Sequence, residues 1–86
     1  MPRISEFYGI EIYLYYRDHA PPHFHAIHGS EQASIVIATG SVLRGRLSPR
    51  ALALVTEWCR LNQTALEQNW ERARQQRPLH RIGPLD

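Results

Sequence analysis

Along the first half of the chain apolar and polar residues alternate. In IEIYLYY, at 10–16, Ile10, Ile12 and Leu14 share one parity, while Glu11, Tyr13 and Tyr15 share the other. Period-two alternation in segments rich in Ile, Val, Tyr and Phe predicts strands with one covered face. Similar segments occur at ISEFYG (4–9), HFHAIH (23–28), ASIVIA (33–38) and SVLRGRL (41–47), separated by Gly9, Ala20-Pro21-Pro22, Gly29-Ser30 and Thr39-Gly40. Connections this short join neighbouring antiparallel strands, so a meander of four to five strands is expected. If Ile10, Ile12 and Leu14 face the core, then Phe24, Ile35, Ile37, Leu43 and Leu47 join them. Glu11, Tyr13, Tyr15, His23, His25, Ser34, Val36, Arg44 and Arg46 then share the opposite face.

The period changes at Ser48-Pro49, a capping hydroxyl followed by proline at the first helical position. No Gly or Pro interrupts 50–76. At about 100° per residue, Leu52, Val55, Cys59, Leu66, Trp70 and Ala73 form one stripe, which favours a single long helix. Asn62-Gln63 is polar at that stripe, and Thr64 with Glu67 has capping-box spacing, so two helices with a tight bend are the alternative. Near its start the helix is also apolar at Ala51, Leu54, Trp58 and Leu61, a surface wide enough to need cover on a second side. The fold class is therefore α+β: a small antiparallel meander, then a long C-terminal helix or two helices packed on one sheet face. Residues 1–86 read as a single domain, with a sheet half at 1–47, a helical part at 48–76 and an extended tail at 77–86.

Composition narrows the class. Eighty-six residues, 43% hydrophobic and 21% charged, describe an ordinary globular domain. Such a small core leaves burial for a second copy or a partner to supply. No apolar run approaches the roughly 20 residues that cross a bilayer. The single cysteine, Cys59, allows no internal disulfide and points to the cytoplasm. All ten basic residues are arginine, but against eight carboxylates the net charge is only +2, weak grounds for a polyanion partner.

Chemistry concentrates in RDHAPPHFHAIH, at 17–28, which holds four of the five histidines. His23 and His25, two apart on a strand, leave the same face and form a two-point clamp for a divalent transition metal such as zinc. His19 or Asp18, across the proline turn, would supply a third ligand. Without metal, the same pair could act as acid and base in a ribonuclease, assisted by Arg17 and Tyr15. On the same face Tyr13 and Tyr15 with Arg44 and Arg46 mix rings and cations, as in sheets that hold single-stranded RNA. Structural histidines beside a stiff turn, on a solvated face, remain the plain alternative.

FYGI (7–10), HAPPHFHA (19–26), ATG (38–40), LALVTEW (52–58) and NWERA (69–73) together resemble a small bacterial family, domain of unknown function 4160. The resemblance spans nearly the whole chain. It departs at His28, where the family's pattern carries an aromatic, which counts against His28 as a shared ligand. The resemblance implies pairing with a second small domain, in an arrangement similar to toxin–antitoxin pairs. The leading expectation is thus an interaction module that assembles with itself or a small cognate partner. An RNA-directed activity and a histidine metal site stand as alternatives.

Overall fold

The computed structural model describes residues 2–86. Five strands form one antiparallel sheet in chain order: β1 (Arg3–Phe7), β2 (Ile10–Tyr13), β3 (His23–His28), β4 (Glu31–Val36) and β5 (Val42–Arg46). Helices α1 (Pro49–Leu61) and α2 (Gln63–Arg74) follow. The expected α+β meander is present. β2 stops at Tyr13, short of the run of apolar and aromatic residues that continues to Tyr16.

Two tight turns set the register. Phe7 pairs with Ile10 across Tyr8-Gly9, both at positive φ, the two-residue turn whose twist matches a hairpin. His28 pairs with Glu31 across Gly29-Ser30. The ladder then aligns Ile12 with Ala26, Phe24 with Ile35, and Ala26 with Ala33. All five are buried, together with Ile4, Phe7, Ile10, Leu14, Ile37 and Leu47. On the other face Tyr13 pairs with His25, His25 with Ser34, and Ser34 with Arg44. The alternation read from sequence therefore holds across four strands.

It fails at Leu43. The register shifts between Ser34 and Ile35, because Ser34 pairs with Arg44 while Ile35 already pairs with Val42. Leu43 is the extra residue of a bulge, which turns its side chain out of the core face. It is 39% exposed and lines a hollow on the outer face.

The helical region is two helices where the continuous stripe favoured one. Asn62 leaves helical geometry at φ −126°. Its backbone N–H donates to the Cys59 carbonyl, and its side-chain amide donates to the Trp58 carbonyl at 2.8 Å. These bonds satisfy α1's last acceptors locally and end the helix one residue before α2 begins. The start is as expected, with the Ser48 hydroxyl accepting from the Ala51 N–H and Pro49 opening the helix. Ala51, Val55, Trp58 and Cys59 of α1 and Leu66, Trp70 and Ala73 of α2 cover the sheet's apolar face. Trp58 lies between Phe7 and Phe24, at centroid distances of 5.3 and 5.6 Å.

The second side of α1 is covered in part by the chain's own tail, at Trp58, while Leu61 stays exposed. Buried Asn69 grips the His80 backbone twice: its Nδ2 donates to the carbonyl at 2.8 Å, and its Oδ1 accepts from the N–H at 2.9 Å. The Ile82 N–H donates to the Ile4 carbonyl at the outer side of β1, and Trp58 Nε1 donates to the Gly83 carbonyl. Ile82 is buried, and Leu79 and Leu85 pack against the core.

Candidate functional site

Strand parity sends His23 and His25 out of β3 on the face away from the helices' main contact. Their rings lie 5.1 Å apart, centroid to centroid. The connection from β2 to β3 carries Asp18 back over that face. It contains Arg17 at φ 60° and a cis Ala20–Pro21 peptide bond. Its far side is held at the end of α2: the Tyr16 hydroxyl donates to the Arg77 carbonyl at 3.0 Å. Arg17 Nε and Nη2 lie 3.1 Å from the Gln76 side-chain amide, whose oxygen accepts from both when the amide is turned to face them.

One carboxylate oxygen receives both rings. Asp18 Oδ2 is 3.0 Å from His23 Nε2 and 2.9 Å from His25 Nε2. The opposite nitrogens are also occupied. His23 Nδ1 lies 2.7 Å from the Pro21 carbonyl, and His25 Nδ1 lies 3.3 Å from the Ser34 hydroxyl. A carbonyl can only accept, so His23 carries its proton on Nδ1. The Nε2 lone pair of neutral His23 then points at a carboxylate lone pair 3.0 Å away, an arrangement that requires a cation between them. Either a second proton on the ring or a metal ion meets that requirement.

The electrostatics agree with an ionised carboxylate. Burial pushes the Asp18 carboxyl up, but hydrogen bonds from His25 and the His19 backbone N–H, with the charges of both imidazoles, outweigh it. The net effect holds the group below its ordinary range. Tyr15, whose ring packs on His25 at 4.2 Å, is shifted the other way by burial, then by Tyr13 and Asp18, and stays a phenol.

Among the described residues, Asp18, His23 and His25 are the one group of three whose ligand atoms lie within 4.8 Å of one another. Of the four metal candidates, His19 stands apart: its backbone N–H donates to Asp18 Oδ1 and its side chain is exposed beside the hollow. Arg17, a candidate for steadying charge, is directed to Gln76 instead of the histidines. Tyr13, Tyr15, Arg44 and Arg46 do share the outer face with the cluster. His28 lies on the opposite parity, beside Gly9.

Three contributors were given no role by sequence reasoning. Ser34 was placed on the outer face with the histidines, and strand pairing sets it opposite His25. The Pro21 carbonyl carries no side-chain signal. Trp70, placed in the helical core stripe, also packs on His23 at 5.4 Å, and His23 is only 5% exposed as a result. Asp18, His23, His25, Ser34, Leu43 and Arg44 surround a hollow of about 100 Å³.

A family model described as Domain of unknown function (DUF4160) matches residues 9–71, and the chain belongs to that family. No curated protein and no solved structure matches it.

Proposed function

We propose that this member of the DUF4160 family is a metal-binding protein whose centre is formed by Asp18, His23 and His25, with a divalent ion of the zinc class as occupant. The single observation that carries the reading is the 3.0 Å approach of His23 Nε2 to Asp18 Oδ2 while His23 Nδ1 is held by the Pro21 carbonyl, which turns two lone pairs toward each other whenever the ring is neutral. Ligands around a tetrahedral zinc are separated by about 3.3 Å, given metal–ligand bonds of about 2.0–2.1 Å. The observed 2.9 and 3.0 Å lie a few tenths of an ångström inside that, within reach of side-chain adjustment.

The outer contacts support the same reading. Metal-bound histidines donate their remaining N–H to a carbonyl, carboxylate or hydroxyl, which fixes tautomer and ring orientation. Here Pro21 does this for His23, and Ser34 can do it for His25. Three protein ligands leave a coordination position for a further ligand, and an ion so held acts as a Lewis acid. Trp70 and Tyr15 flank the two rings and restrict water around them.

The interaction-module reading rested on the wide apolar surface of α1 and the small core. The tail meets part of that need from within the chain, at Trp58, while Leu61 stays exposed, and we rank self-assembly or pairing with a small cognate protein below the metal site. Elemental analysis of protein purified without a histidine tag tests the proposal. About one zinc, iron or nickel per chain is expected, falling several-fold in Asp18→Asn and His23→Ala. A wild-type protein that stays metal-free after incubation with each ion and desalting defeats it.

A further inference from the structure

The three ligands close one end of a longer trough on the outer face. Arg44, across the ladder from Ser34, borders both the hollow beside Asp18 and a second one of about 220 Å³ that continues past Gln32 and Gly45. Arg46 stands two residues further, opposite Gln32 on the same face. Neither arginine forms an ion pair with any described residue. The carboxylates of this face are already engaged, Glu6 and Glu11 both by Arg3, at 3.2 and 3.0 Å, and Asp18 by the histidines. In the other direction the rings of Tyr15 and Tyr13 continue from His25, at centroid distances of 4.2 and 6.3 Å. Both tyrosines are half-buried and keep ring surface open to solvent.

Unpaired guanidinium groups suit phosphate, which their planar forks can grip with two parallel bonds. Two residues along a strand separate the stems by about 6.6 Å, so Arg44 and Arg46 meet successive charges of a repeating anion. Aromatic rings in line with such cations offer stacking surfaces that tolerate any base, the combination used for single strands. An acidic peptide would match the arginines but leave the rings without a role.

We infer that the trough binds single-stranded nucleic acid, with one backbone phosphate held between the Asp18–His23–His25 centre and Arg44. The inference rests on the metal reading for that phosphate, while Arg46 and the tyrosines hold the adjoining strand.

The test is fluorescence anisotropy of a labelled oligouridine of about ten nucleotides, titrated with zinc-loaded protein at several salt concentrations. Metal content is measured on each sample. Binding is expected to weaken steeply with salt, and Arg44→Ala and Arg46→Ala each to weaken it about tenfold and lower the salt slope by about 1, without altering metal content. Stripping the ion is expected to weaken binding again. Zinc-loaded protein that ignores the oligonucleotide, or binds it equally well without Arg44, overturns the inference and leaves the metal reading standing. Oligonucleotide binding by a chain that takes up no metal overturns both. Displacement by polyglutamate as readily as by unlabelled oligouridine overturns the choice of nucleic acid.

Discussion

His23 and Trp70 pack ring against ring at 5.4 Å, although the histidine leaves the sheet on the face opposite the helical layer. Contact with α2 leaves an imidazole nearly sealed, while its neighbour His25 keeps about a quarter of its side chain in solvent. One ring of the pair is thus held rigidly by packing and the other is accessible.

That contact makes Trp70 a reporter. Copper(II) bound at the cluster should quench the emission of Trp70 strongly and that of Trp58, which lies against Phe7 and Phe24, much less. In Trp70→Phe most of the quenching should vanish while copper uptake persists. Equal quenching in the two proteins would place the ion elsewhere.

Ser34→Ala should weaken metal affinity about 10- to 100-fold, the usual effect of losing a group that orients a ligand histidine. Ser34 faces His25 Nδ1, the ring nitrogen opposite the one that meets Asp18. Competition with a chromogenic chelator measures the change, and Ser34→Thr, which restores the hydroxyl, should recover much of it. An affinity unmoved by Ser34→Ala would contradict the assigned role.

Gly45 and Gly29 both have positive φ but differ in surroundings. A Cβ on Gly45 would collide with the Gln32 carbonyl of the paired strand, whereas one on Gly29 meets nothing within 4 Å. Gly29→Ala should cost only the left-handed backbone, about 1–2 kcal/mol. Gly45→Ala must also displace β4 and should cost about 3 kcal/mol or more. Urea unfolding with chelator present compares them, and equal losses would refute the collision.

Asn69→Ala removes both bonds that hold the His80 backbone and should destabilise the chain by about 2 kcal/mol. Amide exchange gives a sharper readout, since protection at His80 and Ile82 should fall first while β2 and β3 stay protected. Uniform loss throughout the chain would mean that the tail is no separate unit.

Burial pushes the Cys59 thiol up, with the Gln63 amide opposing in part. A raised thiol contributes stability that is complete below its unfolded value and lost as pH rises through the folded one. At pH 8 the native thiol should therefore alkylate at least about tenfold more slowly than in urea, as followed by mass. Similar rates in both conditions would show the site to be open.

Alternation alone determined much of this protein. The parity of Ile10, Ile12 and Leu14 fixed the core face of the meander, and with it the joint exit of His23 and His25. Ser48-Pro49 fixed where the helices begin. These are local matters, since a side chain's direction along a strand or the capping of a first turn depends on near neighbours. Local pattern could not supply the bulge that turns Leu43 outward, which arises from pairing between β4 and β5. Nor could it choose between one helix and two, because Asn62 ends α1 through bonds that compete with an unbroken stripe. The Asp18–His23–His25 cluster itself was only half visible. Asp18 joins the histidines through a loop tied to the end of α2, and Trp70 seals His23 from a helix far along the chain. Such contacts between distant segments exist only once the whole chain has folded, so only the tertiary structure could select Asp18 over His19 and direct Arg17 away.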